Sequence, residues 1–367
     1  MPNSHLPPDD ADVTREARAT GADQWARGLW YCALPAARLK AGEMVAETFL
    51  GEPMLFARKA DGSVFCIRNQ CPHRGTPLHY GEFDGNTVAC PYHGWRFGDD
   101  GRCTLIPSLV DQGDMNVDRI RCGAYPCVER QGLIWVFHGD PDIPADAAPP
   151  EPELFPGFEA MPAKAAIQLV YNAPFDEAAF GMMDAAHIPF VHRAWWLKRK
   201  AASLRLKEKQ FEPYGHGWRM MPHAIPNVTP FHRLLGGQVT TEIQLRLPGF
   251  RIELIYGDRH RILNLLAITP IDENHTQMLQ ALWWTMPSMD WLSPAVAVLA
   301  KRFLSQDADI INKQNEGLAF GRRQQLIADA DTQMRWWLQC KKEWAAHRRE
   351  GRPFTNPVPP ATLRFRS

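Results

Sequence analysis

Two short segments decide the reading of the N-terminal half: Cys71-Pro72-His73-Arg74-Gly75 and Cys90-Pro91-Tyr92-His93-Gly94-Trp95. The spacing is C-x-H, sixteen residues, then C-x2-H. Each segment supplies one thiolate and one imidazole. Two such pairs can hold a [2Fe-2S] cluster, with both cysteines on one iron and both histidines on the other. Gly75 and Gly94 follow the pairs, where a loop must turn tightly around a cofactor. Two cysteines and two histidines are also a zinc set. Zinc fingers group their ligands as C-x2-C and H-x3-H, whereas here each pair mixes the two types, which suits a two-iron cluster better. A structural zinc site stays open as the alternative. Cys32, Cys66, Cys103, Cys122, Cys127 and Cys340 follow no ligand spacing and read as core or surface thiols.

Working outward, short apolar runs alternate with turn signals. Met54–Ala57, Ser63–Ile67 and Leu133–Phe137 read as strands. Asp61-Gly62, Asp84-Gly85, Asp100-Gly101 and Gln131-Gly132 read as hairpin turns between such runs. Residues 23–140 are expected to form a small antiparallel β domain with the two pairs on loops. Prolines then crowd residues 141–162, at Pro141, Pro144, Pro149, Pro150, Pro152, Pro156 and Pro162. Such a stretch cannot continue a helix or a central strand and reads as an extended linker. Residues 1–22 are acidic, proline-bearing and poor in large apolar side chains; they read as a flexible arm and not as a signal peptide.

Residues 163–367 change pattern. Ala165–Tyr171, Val239–Leu247, Arg251–Tyr256, Leu263–Thr269 and Gln277–Thr285 read as strands. Pro294–Phe320 opens on Ser293-Pro294, a helix-start signal. Thr332–Arg349 carries Met334, Trp337, Leu338 and Trp344 at helical spacing. A sheet covered by long helices on one side gives an α+β domain large enough for an internal pocket. This domain contains Asp184-Ala185-Ala186-His187-Ile188-Pro189-Phe190-Val191-His192. His187 and His192 can reach one metal if the chain bends between them, and Pro189 favours a bend. Two histidines and a carboxylate form the facial triad of non-heme Fe(II) oxygenases, with positions open for O2 and substrate. Alone the spacing is a weak signal that a structural histidine pair also satisfies; after a cluster motif it gains weight. Phe180, Met182, Met183, Phe190, Trp195 and Trp196 flank it and read either as an apolar, aromatic pocket or as ordinary core.

Lysine plus arginine (41) balance aspartate plus glutamate (41), so nothing points to a nucleic-acid or lipid surface. No apolar run approaches the ~20 residues that span a membrane. A cytoplasmic protein with reduced thiols is expected. The chain has no G-x-G-x-x-G nucleotide fingerprint.

The Cys-Pro-His-Arg-Gly and Cys-Pro-Tyr-His-Gly-Trp strings, with Asp184, His187, His192 and the C-terminal helices, resemble the oxygenase α-subunit of Rieske non-heme iron ring-hydroxylating oxygenases. The similarity is greatest to the vanillate and dicamba demethylase branch, which works as a homotrimer, and it covers nearly everything beyond the N-terminal arm. The resemblance implies a Rieske [2Fe-2S] β domain followed by a helix-grip catalytic domain. It implies Cys71, His73, Cys90 and His93 as cluster ligands and His187 and His192 as ligands of a mononuclear Fe(II). It places the third iron ligand on a late helix, in a segment that looks like Gln306-Asp307-Ala308-Asp309-Ile310-Ile311. There, Leu299, Phe303, Asp307, Ile310, Ile311 and Gln314 fall on one helical stripe. Asp307 is then an acid on an apolar face, in need of a cation. Asp309 lies about 200° away on the wheel and is expected in solvent.

The resemblance gives Asp184 a role as an electron-transfer bridge. It would link His93 on the cluster side of one subunit to His187 on the iron side of its neighbour, which requires a cyclic homotrimer. The family usually has an asparagine a few residues before that aspartate; here Phe180 and Gly181 stand there. The activity implied is that of a terminal oxygenase. A separate ferredoxin and reductase, or one fused reductase, would deliver electrons from NAD(P)H. O2 would serve monooxygenation, including O- or N-dealkylation, of a small hydrophobic, aromatic compound. Ring cis-dihydroxylation is the alternative reaction. A non-catalytic Rieske electron carrier, which needs no second histidine site, and a zinc-stabilised binding module are alternatives of another class.

Overall fold

The apolar runs and turns of the N-terminal half become eleven strands in the computed structural model. It describes residues 25–110, 117–139, 149–152, 154–192, 204–225, 234–321 and 324–367. The arm expected over 1–22 lies outside these residues, as do Trp195 and Trp196. Strands β1 (Leu29–Pro35), β10 (Cys127–Arg130) and β11 (Leu133–His138) form one sheet in the order β1-β11-β10. A second joins β2 (Met44–Phe49), β3 (Glu52–Arg58), β4 (Val64–Arg68) and β9 (Ala124–Tyr125). A third joins β5 (Glu82–Phe83), β6 (Val88–Ala89), β7 (Arg96–Phe97) and β8 (Cys103–Leu105). Every pairing is antiparallel. The four Asx-Gly and Gln-Gly dipeptides sit at the β3–β4, β5–β6, β7–β8 and β10–β11 turns, as the sequence pattern predicts. Cys71 and His73 lie on the connection from β4 to β5, and Cys90 and His93 on the link from β6 to β7.

The C-terminal half is built on one eight-stranded antiparallel sheet. Its strands are β12 (Ala165–Tyr171), β13 (Leu206–Tyr214), β14 (Gly217–Ala224), β15 (Thr240–Arg246), β16 (Phe250–Tyr256), β17 (Arg261–Pro270), β18 (Thr276–Trp284) and β19 (Ala361–Arg366). Their order is β12-β18-β17-β16-β15-β14-β13-β19. Four helices accompany it among the described residues: α1 (Phe175–Met183), α2 (Ile188–Val191), α3 (Ser293–Leu318) and α4 (Thr332–Glu350). One sheet face packs Tyr171, Ile268 and Met278 against Phe175, Leu304 and Trp337 of the helices. The other packs Leu265, Leu279 and Trp283 against Trp30 and Trp135 of the N-terminal domain. Thr269 Oγ1 donates to the Cys32 carbonyl (2.9 Å) and Gln277 Nε2 to the Ala33 carbonyl (2.9 Å) across the same junction. Cover on both faces explains why β17 and β18 read as nearly continuous apolar runs.

Three differences from the sequence reading have physical causes. Residues 154–162 are not a free spacer. Phe155 and Phe158 are buried between the two domains, each contributing about 2 kcal/mol of apolar burial, so the proline-rich stretch acts as a plug. Strands β13, β14 and β19 and helix α1 have no counterpart in the sequence reading. β19 is the sheet edge with β13 beside it, and only one face of each is covered, by Phe211, Leu363 and Phe365. Lastly, the stripe drawn on α3 is rotated. Leu299 (62% exposed) and Ile310 (44%) face outward, while Leu304 and Ile311 are buried. The wheel located an apolar arc, but β12 and α1 cover a narrower one beside it.

No helix among the described residues is long and apolar enough to cross a membrane. A cavity of about 670 Å³ opens between the N-terminal domain and β12, lined by Arg38, Glu47, Lys164 and Gln168 among others. It includes none of the candidate metal-binding side chains.

Candidate metal centres

The two Cys-His loops are near copies of each other in backbone hydrogen bonding. Cys71 N–H donates to the Thr76 carbonyl (2.9 Å) and Cys90 N–H to the Trp95 carbonyl (2.8 Å). Gly75 N–H closes on the Cys71 carbonyl (2.8 Å) and Gly94 N–H on the Cys90 carbonyl (3.0 Å). Both glycines have positive φ, +77° and +72°, which a side chain would strain. The loops meet in the same buried cluster, where both cysteines are covered. The rings of His73 and His93 lie 4.7 Å apart. Trp95 stacks on His73 with ring planes 3° apart, and Tyr92 stacks on His93 at 3.9 Å.

The donor set fits a cluster. Burial pushes the Cys71 thiol up to about 11, the Cys90 thiol adds to this, and N–H donors of His73 and Arg74 pull the other way. Two thiols buried against each other become thiolates when a metal compensates the charge. Burial, with His93 and Arg74 nearby, lowers the pKa of His73 and favours the neutral, ligating imidazole. His93 Nδ1 is buried without a hydrogen-bond partner among the described residues, an orphan that a metal would satisfy.

The second centre gathers side chains from two distant segments. Asp184 ends α1, His187 precedes α2 and His192 follows it. Asp307 lies in the middle of α3. One donor atom each of His187, His192 and Asp307 lie within 4.8 Å of one another. Asp307 Oδ1 is 3.4 Å from Nε2 of both histidines. It is buried and makes no well-formed hydrogen bond. A buried carboxylate oxygen aimed between two imidazole nitrogens requires a cation, so the triangle fits a divalent metal. Asp309, by contrast, pairs in solvent with Lys313 (2.7 Å).

Further contacts orient the histidines. Asp184 Oδ2 lies 3.6 Å from His187 Nδ1, and its Oδ1 accepts the Ala186 N–H at 2.6 Å. Burial works to lower the His187 pKa, but Asp184 and Asp307 outweigh it and hold the imidazole up to about 9 in the polypeptide alone. Burial works against the Asp184 carboxylate, yet His187 and backbone donors keep its pKa below the usual range. His192 shifts downward, chiefly through burial. Gln306 Oε1 sits 3.3 Å from His192 Nδ1, and Phe303 stacks on the His192 ring at 3.6 Å. The sequence reading places Phe303 on the helical stripe and Gln306 at the start of the ligand segment but gives neither a part in holding His192. Their one sequence signal is their place beside and one turn before Asp307.

The residues flanking the triad resolve largely as core. Phe180, Met182 and Met183 are buried under the sheet, while Phe190 is exposed. Of Phe180 and Gly181, Gly181 serves close packing: a Cβ there would lie 2.7 Å from Ile311 Cδ1. Ile311 is one turn beyond Asp307 on α3. The glycine thus allows α1 to approach the helix that carries the carboxylate.

Comparison with known proteins agrees with this architecture. The Rieske [2Fe-2S] domain family matches residues 29–122, and the vanillate O-demethylase oxygenase C-terminal domain family matches residues 181–346. The chain is 27% identical over 348 residues to chlorophyllide a oxygenase of Chlamydomonas reinhardtii, covering 90% of this chain and 51% of that protein. It is 32% identical over 191 residues to the iron-sulfur subunit of the toluene-4-sulfonate monooxygenase system of Comamonas testosteroni, covering 49% of this chain and 50% of that subunit. The chain thus spans about half the length of these curated relatives. Its fold matches crystalline dicamba monooxygenase bound to dicamba with a TM-score of 0.66 at 22% identity, covering 87% of this chain and 98% of that one. The chain thus joins a Rieske [2Fe-2S] domain in its N-terminal half to an oxygenase C-terminal domain of the vanillate O-demethylase family, of the mononuclear-iron type, in its C-terminal half.

Proposed function

We propose that this protein is the terminal oxygenase of a multicomponent Rieske system and monooxygenates, or O- or N-dealkylates, a small and largely apolar aromatic compound. The observation that supports this is the triangle of His187, His192 and Asp307, within 4.8 Å, in a chain that also carries the two Cys-His loops. Neither an electron carrier nor a zinc-stabilised module needs the second site. Cys71, Cys90, His73 and His93 would hold the cluster, and His187, His192 and Asp307 the mononuclear iron. When bound, the cluster passes single electrons and the iron activates O2 beside the substrate.

The chain's own residues prepare both places. N–H groups of His73 and Arg74 stabilise the Cys71 thiolate. Asp184 Oδ2, 3.6 Å from His187 Nδ1, orients this ring so that its Nε2 faces Asp307. Gln306 Oε1 does the same for His192 Nδ1. Phe303 shields the His192 ring from water. Asp184 remains partly exposed, at 28% of its side chain, which leaves it accessible to His93 of a neighbouring copy in a head-to-tail homotrimer. A ferredoxin and reductase in the cytoplasm would supply electrons from NAD(P)H. The match of the C-terminal half to the vanillate O-demethylase family favours dealkylation over ring dihydroxylation.

The test is O2 uptake with a surrogate reductase against a panel of aromatic ethers, amides and acids, with formaldehyde measured as the product of demethylation. Coupled O2 uptake that His187→Ala abolishes is expected. Substrate oxidation at the wild-type rate by His187→Ala would remove the assignment.

A further inference from the structure

The sheet face beneath α3 is not uniformly apolar. One apolar cluster on it, with Leu266, Ile268 and Met278, packs under Leu304 and Ile311 of α3. A second, with Ile255, Ile262, Leu282 and Trp284, packs under Val296 of the same helix. Strand register places four polar side chains on this face between the two. Arg251 pairs with Leu266 and Glu253 with Asn264; Leu266 in turn pairs with Gln280 and Asn264 with Leu282.

These polar groups form one string. Gln280 Nε2 donates to Asn264 Oδ1 at 2.8 Å, and Arg251 Nη1 donates to Glu253 Oε2 at 3.3 Å. Arg251 and Glu253 each keep 21% of their side-chain surface accessible, although they face the side the helix covers. Accessible surface there means open space rather than packed core. Gln280 is 8% exposed, and its Oε1 has no hydrogen-bond partner among the described residues. An unmet buried acceptor carries a desolvation penalty that a bound donor relieves. The segment of α3 that bridges the two clusters, from Val296 to Leu304, leads within one turn to Asp307, so the string and the triad lie along one helix.

We infer that the substrate carries a neutral N–H or O–H donor, of the carboxamide or phenol kind, which the Gln280 carboxamide oxygen accepts while its apolar body lies between the two clusters. This deepens the oxygenase reading and rests on it. Charge argues against an anionic substrate. Arg251 is already paired with Glu253, and a carboxylate would meet both the Glu253 charge and the Gln280 oxygen. The other basic side chains on this face, Lys207, Lys209 and His223, stand on β13 and β14, outward from β16, and burial lowers the His223 pKa so that its ring is neutral.

Binding without turnover separates this inference from the oxygenase reading. Three probes share a ring and a methyl ether: 4-methoxybenzamide, 4-methoxybenzoate and 4-methylanisole. Isothermal titration of the iron-loaded protein should show the amide binding about tenfold or more tighter than the other two. Gln280→Leu should lose that advantage and bind 4-methylanisole at least as well as wild type, with iron content and cluster absorption unchanged. Gln280→Met serves the same purpose if the leucine variant fails to fold. Equal binding of all three probes, no binding of the amide, tighter binding of the benzoate, or wild-type amide affinity in both variants would overturn the inference. In each of those cases coupled oxidation of a donor-free aromatic would leave the oxygenase reading standing.

Discussion

The cluster loops and the histidine–carboxylate triangle gather metal donors over very different chain distances. Each loop holds its cysteine and histidine within one tight turn, closed by a glycine N–H bonded back to the cysteine carbonyl. The triangle takes two histidines from one bend and its carboxylate from α3; 114 residues separate His192 from Gln306, the neighbour of Asp307. A site closed locally is sensitive to changes in its own loop and indifferent to those elsewhere. A site closed by helix packing inherits every error in that packing. The variants below test this contrast.

The largest effects belong to the ligands themselves. Cys71→Ser should remove the visible cluster absorption. Asp307→Ala should leave that absorption intact, yet lose mononuclear iron on desalting and turnover to background, because one of three protein ligands disappears. Loss of cluster colour in Asp307→Ala would show that the two sites are not independent.

Next is the bridge. Asp184→Asn keeps the side-chain size but removes the charge beside His187, and should slow turnover by about 10–100-fold. Cluster absorption, iron content and oligomeric state should be unchanged. Stopped-flow oxidation of the pre-reduced cluster at the wild-type rate would exclude Asp184 as the bridge. A verified mixed assembly of Cys71→Ser subunits with His187→Ala subunits should recover activity if electrons cross between chains.

Helix packing is probed at Gly181. Gly181→Ala should drive α1 against Ile311 and weaken metal binding by about tenfold, as overpacking by one methyl commonly costs about 1–3 kcal/mol. Ile311→Val removes the Cδ1 atom that the new methyl would meet. The double variant should therefore regain wild-type affinity in a Co(II) titration. The cluster spectrum should be unaffected in all three proteins.

Protonation gives a comparable effect. His187 is held up to about 9 in the polypeptide alone, so it carries a proton at neutral pH that a metal must displace. Metal affinity should rise about tenfold per pH unit towards pH 9 and then level off. A flat profile between pH 7 and 9 would show that His187 already binds as the neutral imidazole. The smallest effect is expected at Asp309→Ala, which deletes an exposed pair with Lys313 worth about 0.3–0.5 kcal/mol. Iron content and turnover should stay within about twofold of wild type on that scale.

The linear sequence by itself determined what depends on neighbours in the chain. The hairpin turns could be read from Asp-Gly and Gln-Gly pairs, and five of the eight strands of the large sheet from their apolar runs. The four cluster candidates could be named because only two or three peptide units separate each cysteine from its histidine. Tertiary structure decided whatever depends on which surface covers which. A helical wheel gives the phase of α3 but not its buried arc, so Leu304 was passed over while Leu299 and Ile310 turned out exposed. Phe180, Met182 and Met183 became core because the sheet lies over α1, and Phe155 and Phe158 became a plug because two domains close around them. Gln280, Asn264, Glu253 and Arg251 are scattered along the linear sequence. Only the pairing register puts them side by side on one face, because a one-residue slip of β16, β17 or β18 would turn that strand's whole set to the other face.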